Sequence, residues 1–266
     1  MTALSDEIKA RVERLELPWN AYGTDPYGIA KKDLVWFFRA ATWLYRYYFR
    51  VQAVGTENVP GHGRVMLVGN HSGGVALDGL MVIASMFLEK EPPRLAQGMA
   101  EKFLARTPFA SRLTARLGHF TGLPEHAVRL LEDDRMLMVF PEGARGTAKL
   151  YWERHSLVHF GPGFMRLALQ TQTPIVPFGF VGGGEAVPTI ANSVAIGKLV
   201  GAPYVPFTPW IFPLPLPVKL QVRFGKPLRF EGHGTEDDAT IEEKVDRVRH
   251  EIADLIDEGR RSLGIL

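Results

Sequence analysis

Residues 63–90 of the chain read GRVMLVGNHSGGVALDGLMVIASMFLEK: a short apolar run, a polar glycine-rich turn and a longer apolar segment. The first run, 63–70, is continuous and apolar, which is typical of a fully buried strand. The segment 76–90 has the length of a helix. The stretch therefore predicts a strand, a turn and a helix, the repeating unit of an α/β fold.

The same alternation continues along the rest of the chain. Further predicted strands lie at 93–100, 135–143, 173–181 and 218–230, and predicted helices at 109–119, 124–134, 163–171 and 241–255. We therefore predict an α/β fold, a single domain with a mixed, mostly parallel central sheet flanked by helices. This domain should cover 51–266 and end in an amphipathic helix, and 1–50 should form N-terminal membrane-interface helices.

Composition excludes several classes of function. The 266 residues are 46% hydrophobic and 23% charged, which is enough apolar material for a sizeable core. The net charge of +2 gives no reason to expect a nucleic acid as partner. The chain has no cysteine, so disulfides, thiolate metal ligands and cysteine nucleophiles are excluded. We expect no metal and no resident cofactor.

The segment 31–51 has the character of a membrane-surface helix. Arg39 and Arg46 interrupt it, each at roughly 3 kcal/mol on the membrane-insertion scale, so it should not span a bilayer. On a helix, four basic residues and one tryptophan would lie within one narrow arc of the surface: Lys32, Arg39, Trp43, Arg46 and Arg50. Trp36 would lie beside this arc. Lipid headgroups attract such a face. The alternative is a surface helix whose aromatic side simply packs on the core.

A second stretch, 203–218, is rich in proline and aromatic residues. Six prolines in this stretch forbid a helix or a central strand, so we expect an extended loop. Its aromatic residues could hold it on the core, or they could form a second patch that contacts the membrane. The sequence leaves both open.

His71 and Asp78 are the candidate catalytic pair. A neutral imidazole at the carboxyl end of a strand can take a proton from an alcohol, and a carboxylate on its other nitrogen fixes the tautomer. Six residues separate the two, which on one continuous helix would turn the carboxylate away. Gly73 and Gly74 permit an extra loop before the helix begins. We therefore expect the two side chains to meet.

A second candidate motif is FPEGARG at 140–146. The guanidinium of Arg145 has the planar fork of donors that suits a phosphate or a carboxylate. Gly143 and Gly146 would let a ligand approach the backbone. Taken alone, Glu142 and Arg145 are equally consistent with a surface ion pair.

Together with GHFTGLPEHA at 118–127 and TPIVPFGFVGG at 173–183, these motifs resemble the four sequence blocks of the PlsC-like glycerolipid acyltransferases. The resemblance covers about residues 50–230. The superfamily includes lysophosphatidic acid acyltransferases and relatives that act on neutral glycerides. The resemblance implies that His71 is the general base for an acceptor hydroxyl, which attacks an acyl thioester of coenzyme A or of acyl carrier protein. It also implies that Asp78 orients His71 and that Glu142 and Arg145 bind the acceptor.

Together with the segment 31–51, this resemblance leads us to expect a peripheral or monotopic protein on the cytoplasmic face of a membrane, with a membrane lipid as acceptor and an acyl thioester as co-substrate. The remaining residues expected in substrate binding are Asn70, Ser72, Gly143, Gly146 and Lys149.

The second block departs from the family pattern. Relatives commonly place an arginine six residues after its glycine, and here that position, counted from Gly118, is Pro124. Two acceptors therefore stay open. One is a neutral glyceride or other lipid without phosphate, and the other is a phosphate held by Arg145, Lys149 and Arg154 instead.

Three other interpretations fit single features of the sequence. Ser72 beside His71 is compatible with a serine esterase, although the chain has no G-x-S-x-G motif. His155 and His159 have the spacing of two metal ligands on one helix face. A lipid-binding protein without catalytic activity would keep the same fold.

Overall fold

The computed structural model of the protein describes residues 2–74, 77–100, 116–118, 120–121, 124–211 and 214–265. The strands are β1 (Gln52–Val54), β2 (Val65–Gly69), β3 (Ala96–Ala100), β4 (Phe120–Thr121), β5 (Met136–Val139), β6 (Ile175–Val181), β7 (Ala191–Ser193), β8 (Val205–Phe207) and β9 (Gln221–Phe224). The helices are α1 (Thr2–Glu13), α2 (Lys31–Trp43), α3 (Leu77–Leu88), α4 (Pro124–Glu132), α5 (Ala144–Thr147), α6 (Gly163–Gln170), α7 (Gly183–Ala186), α8 (Val194–Val200) and α9 (Asp238–Leu263). A π-helical turn, Leu44–Tyr48, continues α2.

The main sheet has the strand order β1-β9-β6-β2-β5-β3-β4. Strands β6, β2, β5, β3 and β4 are parallel, and β9 runs antiparallel to β6 with β1 parallel beside it. The predicted fold class, a mixed and mostly parallel sheet between helices, is therefore confirmed. Strands β7 and β8 form a separate antiparallel ribbon.

Apolar residues on both faces of the strands explain the layered architecture. On β2, Val65 and Leu67 belong to one hydrophobic cluster, whereas Met66 and Val68 belong to another on the opposite face. Helices α1, α2 and α3 cover the first face, and α4, α6 and α9 cover the second. A strand buried on both faces needs a continuous apolar run, which is the pattern that identified β2.

The boundaries of two predicted elements change. The C-terminal helix begins earlier, after Asp237, whose side chain accepts a hydrogen bond of 3.0 Å from the Thr240 amide and caps the helix. The proline-rich stretch contains the strand β8, which pairs only with β7, so Pro206 interrupts no central ladder. The predicted helix 109–119 lies outside the described residues except for 116–118.

The N-terminal helices pack directly on the α/β domain. The rings of Phe38 on α2 and Phe87 on α3 stack with centroids 3.6 Å apart. The opposite side of α2 and its π-helical extension is exposed and carries Lys32, Trp36, Arg39, Trp43, Tyr47 and Arg50. None of the helices in the described ranges has the length and apolar character that crossing a membrane requires.

We expect Phe38→Ala to lower the free energy of unfolding by about 3–5 kcal/mol, because it leaves a cavity against Phe87. Trp36→Ala, on the exposed face of the same helix, should change it by less than about 0.5 kcal/mol. Urea denaturation followed by circular dichroism measures both. Equal losses for the two variants would contradict the observed orientation of α2.

Candidate active site

His71 and Asp78 form a hydrogen-bonded pair at the carboxyl end of β2. The distance from His71 Nδ1 to Asp78 Oδ2 is 2.6 Å. The Asp78 side chain is completely buried, and 12% of the His71 side chain is exposed. Among the described residues, no hydrogen bond engages the second ring nitrogen, Nε2. The pair therefore has a buried, fixed acid end and a nitrogen available to a ligand.

The long spacing between the two residues is accommodated by a left-handed loop. Gly73 and Gly74 have φ angles of 97° and 65°, a region that side chains other than glycine rarely adopt. Helix α3, Leu77–Leu88, carries Asp78 near its start, and the carboxylate faces His71. The prediction that the pair meets is confirmed. Asp78 also accepts hydrogen bonds of 2.7 Å from the Ser72 and Gly79 amides.

A buried ion pair holds the main chain of His71 from the other side. The His71 amide donates to Glu142 Oε1 at 2.8 Å, and Lys149 Nζ donates to Glu142 Oε2 at 2.9 Å. The Val158 amide donates to the same carboxylate at 2.9 Å, and Lys149 also donates to the Ser156 carbonyl at 2.9 Å. Both charged side chains are buried, with 0% and 4% exposed. In this geometry Glu142 and Lys149 position the candidate catalytic loop, residues 70–74, which carries His71.

Gly146 and Phe140 shape the surroundings of the imidazole. A Cβ atom on Gly146 would lie 2.6 Å from His71 Cβ, so only glycine lets α5 approach the histidine this closely. The Phe140 ring stacks on the His71 ring at a centroid distance of 4.2 Å and 15° between planes. We expected Gly146 to admit a ligand, and the group that it admits here is His71 itself. Gly143 has a φ of 56° and open space around it.

Asn70 and Ser72 lie in the wall of the site. The Asn70 side chain accepts from the Phe180 amide at 2.7 Å and donates to the Phe180 carbonyl at 3.0 Å, which ties the end of β2 to β6. Ser72 is buried, and within the described part of the chain its hydroxyl makes no hydrogen bond to His71. Their roles toward a substrate stay predictions, as does that of Arg145, which is exposed on α5.

Two of the three cations that could hold a phosphate already pair with carboxylates of the chain. Lys149 pairs with Glu142, and Arg154 donates to Glu185 Oε1 at 2.8 Å. Burial alone would raise the pKa of Glu185, but hydrogen bonds from His155 and Arg154 outweigh it and hold the pKa below its usual range. In the part of the chain that the structure describes, Arg145 has no such carboxylate partner.

The alternative of two metal ligands at His155 and His159 requires one helix face, and the segment around them is an irregular loop. His155 Nε2 instead lies 3.1 Å from Glu185 Oε1. The described residues contain no group of three or more histidine and acidic side chains arranged to hold a metal ion.

Tyr204 is a residue of the site that sequence reasoning missed. Its hydroxyl donates to Thr147 Oγ1 on α5 and lies 3.4 Å from the Gly74 carbonyl in the catalytic loop. The prolines around Tyr204 signalled a loop, but the loop's contact with residues 57 and 130 positions away has no local signature.

Comparison with known proteins identifies the family. Residues 50–181 match the family model described as Acyltransferase. Through residues 50–181 the chain belongs to the Acyltransferase family. The matched residues end with β6, so they include both the His71–Asp78 pair and the Glu142–Lys149 pair.

Similarity to other proteins extends beyond the residues that the family model matches. An uncharacterized protein of Mycobacterium tuberculosis is 32% identical over 245 residues, which cover 87% of this chain and 66% of that protein. This acyltransferase-family chain thus spans slightly less than two thirds of that relative. A Bos taurus protein named DGAT1/2-independent enzyme synthesizing storage lipids is 25% identical over 247 residues, which cover 92% of this chain and 69% of that protein.

The fold also matches a solved structure of the superfamily. The crystal structure of the 1-acyl-sn-glycerophosphate (LPA) acyltransferase PlsC from Thermotoga maritima aligns with a TM-score of 0.54 and 19% identity. The alignment covers 85% of this chain and 79% of that one. At this identity the likeness concerns the fold.

We expect Asp78→Asn to lower the free energy of unfolding by about 1–3 kcal/mol. Both Asp78 oxygens accept hydrogen bonds, and in asparagine one of them is replaced by an NH₂ group, which cannot accept a hydrogen bond from the N–H that it faces. Urea denaturation measures the loss, and ¹⁵N NMR of the His71 ring should show an altered tautomer. Asp254→Asn, at an exposed position on α9, is the matched control. A variant as stable as that control would argue against the observed hydrogen bonds.

We expect Lys149→Met to cost about 3–5 kcal/mol of stability, because it removes the cation beside the buried Glu142 carboxylate. The double variant Glu142→Gln with Lys149→Met should lose less than the sum of the two single variants, since the charges are coupled. Lys226→Met, at an exposed position, controls for loss of charge. Additive losses in the urea denaturation cycle would refute the coupling.

Proposed function

We propose that this protein is an acyltransferase that moves a fatty acyl chain from an acyl thioester to a hydroxyl of a glycerolipid or lysophospholipid. The observation that carries the proposal is the 2.6 Å pair of His71 and Asp78, with Nε2 of the imidazole available. Membership of the acyltransferase superfamily supports it. The donor is acyl-CoA or acyl carrier protein, which acts as a co-substrate.

In the proposed reaction, His71 Nε2 takes the proton from the acceptor hydroxyl while the oxygen attacks the thioester carbonyl. The tetrahedral intermediate then collapses, its carbon–sulfur bond breaks, and the departing sulfur receives the proton from His71. The products are an ester and a free thiol. Asp78 steadies the imidazolium, and the pair Glu142–Lys149 keeps the His71 main chain in place. A general base of this kind contributes about 10² to 10⁴ in rate.

A neutral acceptor is the second candidate. Lys149 and Arg154 are engaged by carboxylates, and Pro124 stands where relatives commonly carry an arginine. Among the described residues, this leaves only Arg145 of the three cations without a carboxylate partner, which favours an acceptor that carries no phosphate. The name of the Bos taurus relative refers to storage lipids, which is compatible with an acceptor without phosphate.

Two functions of other classes are less well supported. A serine esterase needs its nucleophile at the imidazole, whereas Ser72 is buried and its amide binds Asp78. A purely lipid-binding protein has no need for a histidine whose orientation a buried carboxylate determines. Thioester consumption therefore distinguishes the proposal from both.

For the location, we propose peripheral contact with the cytoplasmic face of a membrane through 31–51 and through 203–218. The exposed side of α2 combines cations with Trp36 and Trp43, which are 63% and 52% exposed. Tryptophan and basic residues together favour the headgroup region of an anionic bilayer.

We expect His71→Ala to lower the rate of acyl transfer by about 10² to 10⁴, because the acceptor loses its general base. Thiol release from acyl-CoA, measured with a colorimetric thiol reagent, should require an acceptor in the wild type. The acceptors to compare are lysophosphatidic acid, other lysophospholipids, monoacylglycerol and diacylglycerol.

Ser72→Ala is the neighbouring comparison and should slow transfer far less than His71→Ala, since the proposed proton transfer does not use its hydroxyl. Free fatty acid released without acceptor, and lost in Ser72→Ala, would instead identify an esterase. Equal transfer by wild type and His71→Ala would refute the general base.

We expect Lys32→Glu with Arg39→Glu to weaken binding to anionic vesicles by about tenfold or more, because each cation near the surface contributes about 1 kcal/mol. Arg46 is unsuitable for this test, since it pairs with Glu7 at 2.6 Å and helps to join α2 to α1. Vesicle cosedimentation provides the measurement.

Lys244→Glu with Arg247→Glu on α9 makes the same change in net charge and is the control for that test. Equal weakening in both double variants would mean that net charge, and no particular face, attracts the vesicle.

A further inference from the structure

The segment 187–218, which we call the insertion, connects α7 to β9, and its described residues contact the candidate active site on their inner side. A Cβ atom on Gly74 would lie 2.9 Å from Thr189 Oγ1. The Asn192 side chain donates to the Ala148 carbonyl at 2.7 Å, next to α5. With the Tyr204 contacts, this packing joins the insertion to both loops that carry the candidate catalytic residues.

The outer side of the insertion is unusually apolar. Helix α8 is capped by Ser193, whose hydroxyl accepts from the Ile196 amide at 3.2 Å, and ends at Gly201 in the left-handed region. Leu199 is 85% exposed. The exposed large apolar residues of this surface, together with the one cation of the helix, are Ile190, Val194, Ile196, Lys198 and Leu199. We call these five residues the α8 surface.

Gly197 explains why so much of this helix faces outward. A Cβ atom on Gly197 would lie 2.5 Å from the Tyr204 Cα. Gly197 is therefore the position at which α8 packs against Tyr204, the residue before β8. The neighbouring positions 194, 195, 196, 198 and 199 are all exposed. A helix with apolar residues on most of its circumference is ordinarily covered, and a contiguous exposed apolar patch marks an interaction surface.

Charge indicates what covers the surface. From 186 to 230 the sequence contains no aspartate or glutamate, while Lys198 and Lys219 lie within or beside the insertion. Such a surface is complementary to an anionic lipid bilayer. Farther along the insertion, Tyr48 donates to the Pro215 carbonyl at 2.8 Å and Arg50 to the Pro217 carbonyl at 2.7 Å, so residues 215–217 pack beside the end of the π-helical turn.

We propose that the α8 surface inserts into the headgroup–acyl boundary of an anionic bilayer and holds the entrance to His71 at the lipid. This inference rests on the proposed lipid acceptor and adds a third membrane contact to 31–51 and 203–218. Because Tyr204 supports α8 and also contacts the catalytic loop, the element that enters the lipid is the one that lines the site.

The chain has no cysteine, so single labelling sites can be introduced without background. Leu199→Cys, carrying an environment-sensitive fluorophore, should show a blue-shifted and stronger emission with vesicles of phosphatidylcholine and phosphatidylglycerol. Ala239→Cys, exposed on α9, should show no change and is the matched control. Ile196→Ser with Leu199→Ser, which leaves the net charge unchanged, should weaken vesicle binding by about tenfold or more relative to Ala239→Ser.

An unchanged Leu199 emission in the presence of vesicles would overturn the proposal. An emission that instead shifts with protein concentration without lipid would also overturn it and identify a second copy of the chain as the occupant. Turnover of a detergent-dispersed acceptor by the wild-type protein is measured separately. Its absence with every acceptor would overturn the proposed function and leave the result for the α8 surface standing.

Discussion

The hydrogen bond between His71 and the buried Asp78 carboxylate is the interaction on which the candidate site depends. A buried carboxylate is stable only when its oxygens are satisfied, and here the His71 ring and the Ser72 and Gly79 amides satisfy them. The same contacts define the path of the loop between β2 and α3. The requirement for burial with full hydrogen bonding therefore orients the imidazole and shapes the backbone around it.

A second buried charge stabilises the same loop from the neighbouring strand. Glu142 follows β5, and its carboxylate accepts from the His71 amide while Lys149 compensates its charge. Because β2 and β5 are adjacent parallel strands, their carboxyl ends meet, and two chain segments 71 positions apart hold one histidine. Ligand sites of open α/β sheets occur at this edge for the same reason.

The insertion 187–218 gives this sheet edge an apolar outer surface. Its inner side contacts the site through Tyr204 and Thr189, whereas its outer residues remain uncovered by the described part of the chain. A lipid acyl chain leaves the bilayer at a large free-energy cost for each methylene exposed to water. A catalytic loop adjoining such a surface suits a reaction whose substrates are lipids.

The sequence by itself determined the local features. Continuous apolar runs predicted β2 and β6, the recurrence of apolar residues predicted α9, and Gly73 and Gly74 explained how His71 meets Asp78. These features depend on neighbours along the chain, which a one-dimensional pattern records. The β8 strand, the Glu142–His71 contact and the support of Tyr204 were decided only by the tertiary structure. Their partners are distant in sequence and are brought together by strand order, and long-range pairing leaves no periodicity in either segment.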